Sequence, residues 1–114
     1  MEKYNFNNKK FVLVENSENG QVNTETIFEY QQQVNLVTAN YKGGSITYGK
    51  IIAILDNDRL DMLYQCVTTE NELKAGKAIA KISKNENGKI ILDLDWEWLN
   101  VANAEKGKSR YIEV

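Results

Sequence analysis

The side chains of this chain that could do chemistry recur every second residue along short stretches. Ile90, Leu92, Leu94, Trp96 and Trp98 alternate with Ile91, Asp93, Asp95 and Glu97. In an extended strand this puts both indoles on one face and the carboxylates on the other. Phe28 with Tyr30, Met62 with Tyr64, and Tyr48 fall on apolar faces of their own stretches in the same way. Aromatic faces of this kind have two uses. They line a pocket where Tyr hydroxyls and Trp N–H groups orient a small apolar or aromatic ligand, or they fill the core of a small barrel. Lys50 is the one charge on the face of Ile46, Tyr48, Ile52 and Ile54. It either snorkels from a barrel end or meets an anionic head group inside. The candidate ligand-binding set is therefore Phe28, Tyr30, Tyr48, Lys50, Met62, Tyr64, Trp96 and Trp98.

Catalysis has less to work with. The chain contains no histidine, which removes the usual general base, the Ser/His and Cys/His nucleophile pairs and the commonest transition-metal ligand. The row Asp93, Asp95 and Glu97 could bind Ca²⁺ or supply an acid and a base. Alternate charges are also what a solvated strand face carries, and carboxylates spaced along one strand do not face each other across a cleft as glycoside hydrolysis requires. Asp61 and Gln65 flank Leu63 on the side opposite Met62 and Tyr64. Cys66 shares the apolar face of Met62 and Tyr64, without the adjacent cation or helix N-terminus that a catalytic thiolate needs. No catalytic residue, metal or cofactor is implied.

Such faces need strands to hold them. From Gly44 to Val67, two runs rich in Ile, Tyr and Val flank Asp56-Asn57-Asp58, which has the chemistry of a hairpin turn. This is the expected central hairpin. Before it, Phe11 to Val14 reads as a first strand closed by Glu18-Asn19-Gly20, and Thr24 to Gln31 reads as a second. Val34 to Tyr41 forms a third after a weak break at Gln32-Gln33, and Lys42-Gly43-Gly44 turns it into the hairpin. After the polar turn Thr68 to Asn71, the period of Glu72 to Ser83 is ambiguous. Its Ala, Lys and Glu suit an amphipathic helix, whereas Gly76 opposes one. Asn85-Glu86-Asn87-Gly88 marks a turn, Lys89 to Trp98 a strand, Asn100 to Lys106 a helical turn, and Ser109 to Val114 a last strand after Gly107.

The 114 residues suit a single domain, 1–114. About eight strands joined by short turns predict an all-β fold: one antiparallel up-and-down β-barrel, lipocalin/calycin-like or avidin-like. The absence of proline leaves every strand its backbone donors. A net charge of −2, spread over interleaved Lys and Glu, offers no basic stripe to a phosphate backbone. The start has no signal-peptide core, and no run approaches the roughly 20 apolar residues of a membrane-spanning helix. A single cysteine fits a reducing compartment. The expectation is a cytoplasmic protein with neither nucleic acid nor membrane as a partner.

Several stretches together resemble a known family: Tyr-Lys-Gly-Gly-Ser-Ile from Tyr41, Leu-Asp-Met-Leu-Tyr-Gln from Leu60, Glu-Leu-Lys-Ala-Gly from Glu72, and Asn-Gly-Lys-Ile with Trp-Glu-Trp between Asn87 and Trp98. From about Asn19 onward the chain is similar to a family of small bacterial proteins of no established active site, some of which bear the name N-acetylglutamate synthase. It departs from the family pattern at Leu63, where an Arg is expected, and at Cys66, where a His is expected. That name implies acetyl transfer from acetyl-CoA, for which the common fold uses a Gly-rich turn feeding a helix N-terminus. Gly43-Gly44 lies instead between two predicted strands. The leading expectation is a barrel that binds a small apolar or aromatic molecule without catalysis. The alternatives are a protein-interaction module that pairs as a homodimer, and an enzyme, including that synthase.

Overall fold

Burial alternates residue by residue through each stretch the sequence marks as extended. A computed structural model describes residues 4–16, 24–99 and 106–114. Its strands are β1 (Lys9–Asn16), β2 (Ile27–Gln33), β3 (Leu36–Gly43), β4 (Ile46–Asp56), β5 (Arg59–Thr68), β6 (Leu73–Lys84), β7 (Ile90–Trp98) and β8 (Lys106–Glu113). Each pairs antiparallel with the next, and β8 pairs with β1, so the sheet closes into an up-and-down barrel with no free edge. The expected fold class, a single antiparallel up-and-down barrel of eight strands, holds.

The turns fall where chain chemistry admits a left-handed residue. Asp56 pairs with Arg59 across Asn57-Asp58, with Asn57 at φ +55°, a conformation that Asn tolerates better than most residues. In the β6–β7 turn Asn85 Oδ1 accepts the N–H groups of Asn87 and Lys89, and Gly88 sits at φ +78°. The β2–β3 turn differs from expectation. β2 runs on through Gln33, and the reversal falls at Val34-Asn35, with Val34 at φ +58°. A β-branched residue there is strained, so propensity alone points to the wrong pair. The turn expected at Glu18-Asn19-Gly20 lies outside the described residues. So does the helical turn from Asn100, except that Lys106 already belongs to β8.

Glu72 to Ser83 is strand. Gly76, Ala78, Ala80 and Ile82 point inward, with Lys77, Ile79 and Lys81 outward. The period looked ambiguous because both faces carry apolar residues. The central hairpin holds a more consequential departure. Pairing between β4 and β5 slips between Ile46 and Tyr48, a bulge that puts one extra residue in β4. Ile46 is inward, but beyond the bulge the inward set is Gly49, Ile51 and Ala53. Tyr48, Lys50, Ile52 and Ile54 therefore lie outside the barrel, contrary to the period-two reading that placed Tyr48 and Lys50 inside.

One end of the barrel is stoppered by the residues before β1. Phe6 is fully buried against Phe11 and Tyr30, with ring centroids 5.9 and 5.6 Å away, and its N–H donates to Gln32 Oε1 at 2.9 Å. The Tyr4 hydroxyl reaches Ile82 O at 3.4 Å. Burying rings of this size contributes about 1.5–3 kcal/mol each. At the same end Glu113 Oε1 accepts the Ile90 N–H at 3.1 Å, and Oε2 lies 3.1 Å from Lys9 Nζ. One carboxylate thus ties β8 to both of its neighbours.

Candidate functional site

The interior is built on three cross-strand pairs of an aromatic residue and a glycine. Tyr41 faces Gly49, Tyr64 faces Gly76, and Trp96 faces Gly107. In each pair the ring lies flat where the glycine's side chain would be, and a Cβ would collide with it. A glycine inside a strand marks such close approaches. Three large side chains thereby lie against the barrel wall instead of crossing the lumen. Ala39, Ala53, Ala78 and Ala80 are the small buried residues packed among them.

Polar tips inside are tied down. Trp96 Nε1–H donates to Ser109 Oγ at 2.7 Å, and the Ser109 hydroxyl also bonds Tyr111, which burial nonetheless pushes up to about 12. Tyr41 donates to Gln65 O at 3.3 Å, and its hydroxyl lies against Cys66. Burial first, then neighbouring hydroxyls and the thiol, hold Tyr30, Tyr41 and Tyr64 neutral well above the usual tyrosine range. Burial also pushes the Cys66 thiol up, against the opposing pull of Tyr41 and Lys74. A thiol kept neutral in this way is a packing group, not a nucleophile.

The end opposite the Tyr4–Phe6 stopper is where β1, β3, β5 and β7 finish. Trp98, the last residue of β7, is buried with its ring 5.5 Å from Tyr64, edge to face, and 6.0 Å from Trp96. The Lys74 ammonium lies 5.4 Å from the Trp98 ring centroid, close enough for a cation–π contact. Tyr64 points inward yet is only partly buried, whereas Phe28, Tyr30, Tyr41, Trp96, Trp98 and Tyr111 are closed off. Solvent thus meets the aromatic interior at Tyr64. Thr26 and Thr68 brace this end, Thr26 donating to Gly43 O at 2.9 Å and Thr68 accepting the Glu72 N–H at 3.2 Å.

Of the residues singled out from sequence, Phe28, Tyr30, Met62, Tyr64, Trp96 and Trp98 face inward. Only Tyr64, Trp96 and Trp98 form one continuous aromatic group among them. Tyr30 belongs to the stoppered end with Phe6 and Phe11. Tyr48 and Lys50 are on the outside, because the β4 bulge reverses their parity. The cation beside Trp98 is Lys74, not Lys50. Nothing in the spacing around Lys74 marked it, since its role depends on Trp98 arriving from the next strand. Tyr41 and Tyr111 were also missed; the register that sets Gly49 opposite Tyr41 is not written in either strand alone. The acidic row lies on the outer face, where Arg110 holds Asp93 at 2.6 Å, Lys108 lies 3.6 Å from Asp95, and Lys106 lies 3.5 Å from Glu97.

Eight antiparallel strands in sequence order, closed around an aromatic interior, match what family comparison finds. The sequence model of a family described as avidin-like protein matches residues 4–114. The chain belongs to the avidin-like family. No curated protein and no solved structure matches it. Avidin-like barrels typically bind small molecules and often assemble into oligomers. In this avidin-like chain, ring packing and glycine placement set how the interior is filled.

Proposed function

We propose that this avidin-like barrel binds a small, largely apolar or aromatic molecule without catalysis, at the end where Tyr64, Trp98 and Lys74 meet. The observation that carries the reading is the partial exposure of Tyr64, an inward-facing ring edge to face with Trp98. A flat apolar ligand can stack there while its polar or anionic end turns toward Lys74 at the rim. The neutral Tyr64 hydroxyl and the hydrogen-bonded Trp96 N–H orient a ligand but supply no acid, base or nucleophile at neutral pH.

An anionic naphthalene probe such as anilinonaphthalene sulfonate tests this directly. Titrated into the protein, it is expected to brighten while Trp emission is quenched. Trp98→Phe and Lys74→Ala should each weaken binding by about tenfold, or ~1.4 kcal/mol. Leu63→Glu, on the outer surface, should leave the titration unchanged. If both emissions stay constant in the wild-type protein, or if only Leu63→Glu abolishes the signal, this site does not bind such ligands.

A further inference from the structure

One cross-strand row takes a residue from each of β1 to β6 in turn: Phe11, Phe28, Tyr41, Gly49, Cys66 and Lys74. It starts on Phe11, which packs against the Phe6 stopper, and ends on Lys74, beside Trp98 at the opposite end. Lys74 shares the inward side of β6 with Gly76 and Ala78 and is half-buried. The row therefore climbs the barrel from stopper to mouth, as the tilt of about 35–45° in barrel strands requires. Its composition changes on the way. The lower three members are rings, and the upper two of these are wedged in place. Phe28 stacks on Tyr41 with centroids 4.7 Å apart, and Tyr111 of β8 meets Phe28 edge to face at 4.9 Å. Tyr41 lies over Gly49 and donates to the carbonyl of Gln65, the chain neighbour of Tyr64, at 3.3 Å. These three rings are buried, whereas Tyr64 beside them meets solvent. Above Tyr41 the row carries only a glycine, a thiol and the lysine. Three strand spacings of about 4.8 Å at that tilt separate Tyr41 from Lys74 by about 8–10 Å of height, part of which the Tyr41 ring itself takes up.

We propose that the site at Tyr64, Trp98 and Lys74 is shallow, that it selects a single flat aromatic ring system bearing a carboxylate over a flexible acyl chain, and that Tyr41 sets its depth. The inference rests on the ligand-binding reading above and names the class of ligand that the same site takes. A flat ring lies against Tyr64 and Trp98 within that height, and its carboxylate meets the Lys74 ammonium at the rim. An acyl chain of the same carbon count, when extended, is longer than this height. To enter, it has to displace Tyr41, which is held by a hydrogen bond and a stacked partner. Otherwise its tail stays in water and the burial that would hold it is forfeited.

Isothermal titration calorimetry of the full chain with 2-naphthoate and with undecanoate, two carboxylates of equal carbon count, tests it. The wild-type protein should bind naphthoate about tenfold or more tightly than undecanoate. Tyr41→Leu and Phe28→Val each thin the ring layer without adding charge, and both should narrow or reverse that ratio in favour of the chain. A substitution that only loosened the fold would weaken both acids together, so the ratio separates depth from stability. Undecanoate binding to the wild type as tightly as naphthoate, or a ratio unchanged in both variants, would overturn the proposal while leaving the ligand site standing. Binding of neither acid by a protein that still brightens the naphthalene sulfonate probe would do the same. If the probe stays dark as well, the site itself falls and the proposal with it.

Discussion

Trp96 can lie flat against β8 because residue 107 has no side chain. A Cβ there would meet the six-membered ring of the indole, which cannot swing away without giving up its bond to Ser109. Gly107→Ala is therefore expected to destabilise the barrel by about 1–3 kcal/mol, the usual penalty for overpacking. Urea denaturation read at the tryptophans checks this, and an unchanged midpoint would mean that Trp96 does not rest on that strand. The sequence carries half of this relation. Trp96 is legible as a core residue from its alternation with Asp95 and Glu97, whereas Gly107 reads only as a spacer. Its partner is chosen by the register of β7 on β8, which no local pattern encodes.

At the scale of the element, the strand that closes the barrel depends on a buried carboxylate. Burial works against the charge of Glu113, but the Ile90 N–H, Lys9 and Lys89 outweigh it and hold the carboxyl below its ordinary range. A lowered folded value means stability that is present above the unfolded value and lost as pH falls from there through the folded one. The wild-type melting temperature should accordingly drop as pH passes below about 4.5. Glu113→Gln keeps an acceptor for Ile90 but loses both ammonium partners. It should be about 1–2 kcal/mol less stable at neutral pH, with a flatter acid limb. Melting curves between about pH 3 and pH 7 distinguish this from a purely structural effect, which would lower both limbs equally. Strand identity was legible almost throughout, because period-two alternation is a property of the segment itself. The side of β4 was not: a one-residue bulge inverts every face beyond it, and the slip is decided by pairing with β5.

For the molecule as a whole, a tyrosine-rich interior predicts how it unfolds in alkali. Tyr30, Tyr41, Tyr64 and Tyr111 all have folded values raised above that of a free tyrosine, chiefly by burial. The folded barrel thus holds protons that the unfolded chain releases. Stability should be complete below about pH 10 and decline as pH climbs from there. Absorbance of tyrosinate followed beside near-UV circular dichroism should show these four ionising together with loss of structure. Ionisation of all of them at their ordinary value, with the near-UV spectrum intact, would contradict a buried and neutral set.

Taken alone, the chain's alternation, turn residues and lack of proline determined an all-β barrel of about eight strands, and which side of most strands is apolar. Those properties reside in neighbouring residues, so a linear reading reaches them. Only the tertiary structure decided which apolar side faces the lumen in β4, which glycine receives which ring, and that Lys74 instead of Lys50 stands beside Trp98. Each of these is a contact between strands, set by register and closure, and register is a relation between segments that neither segment contains by itself.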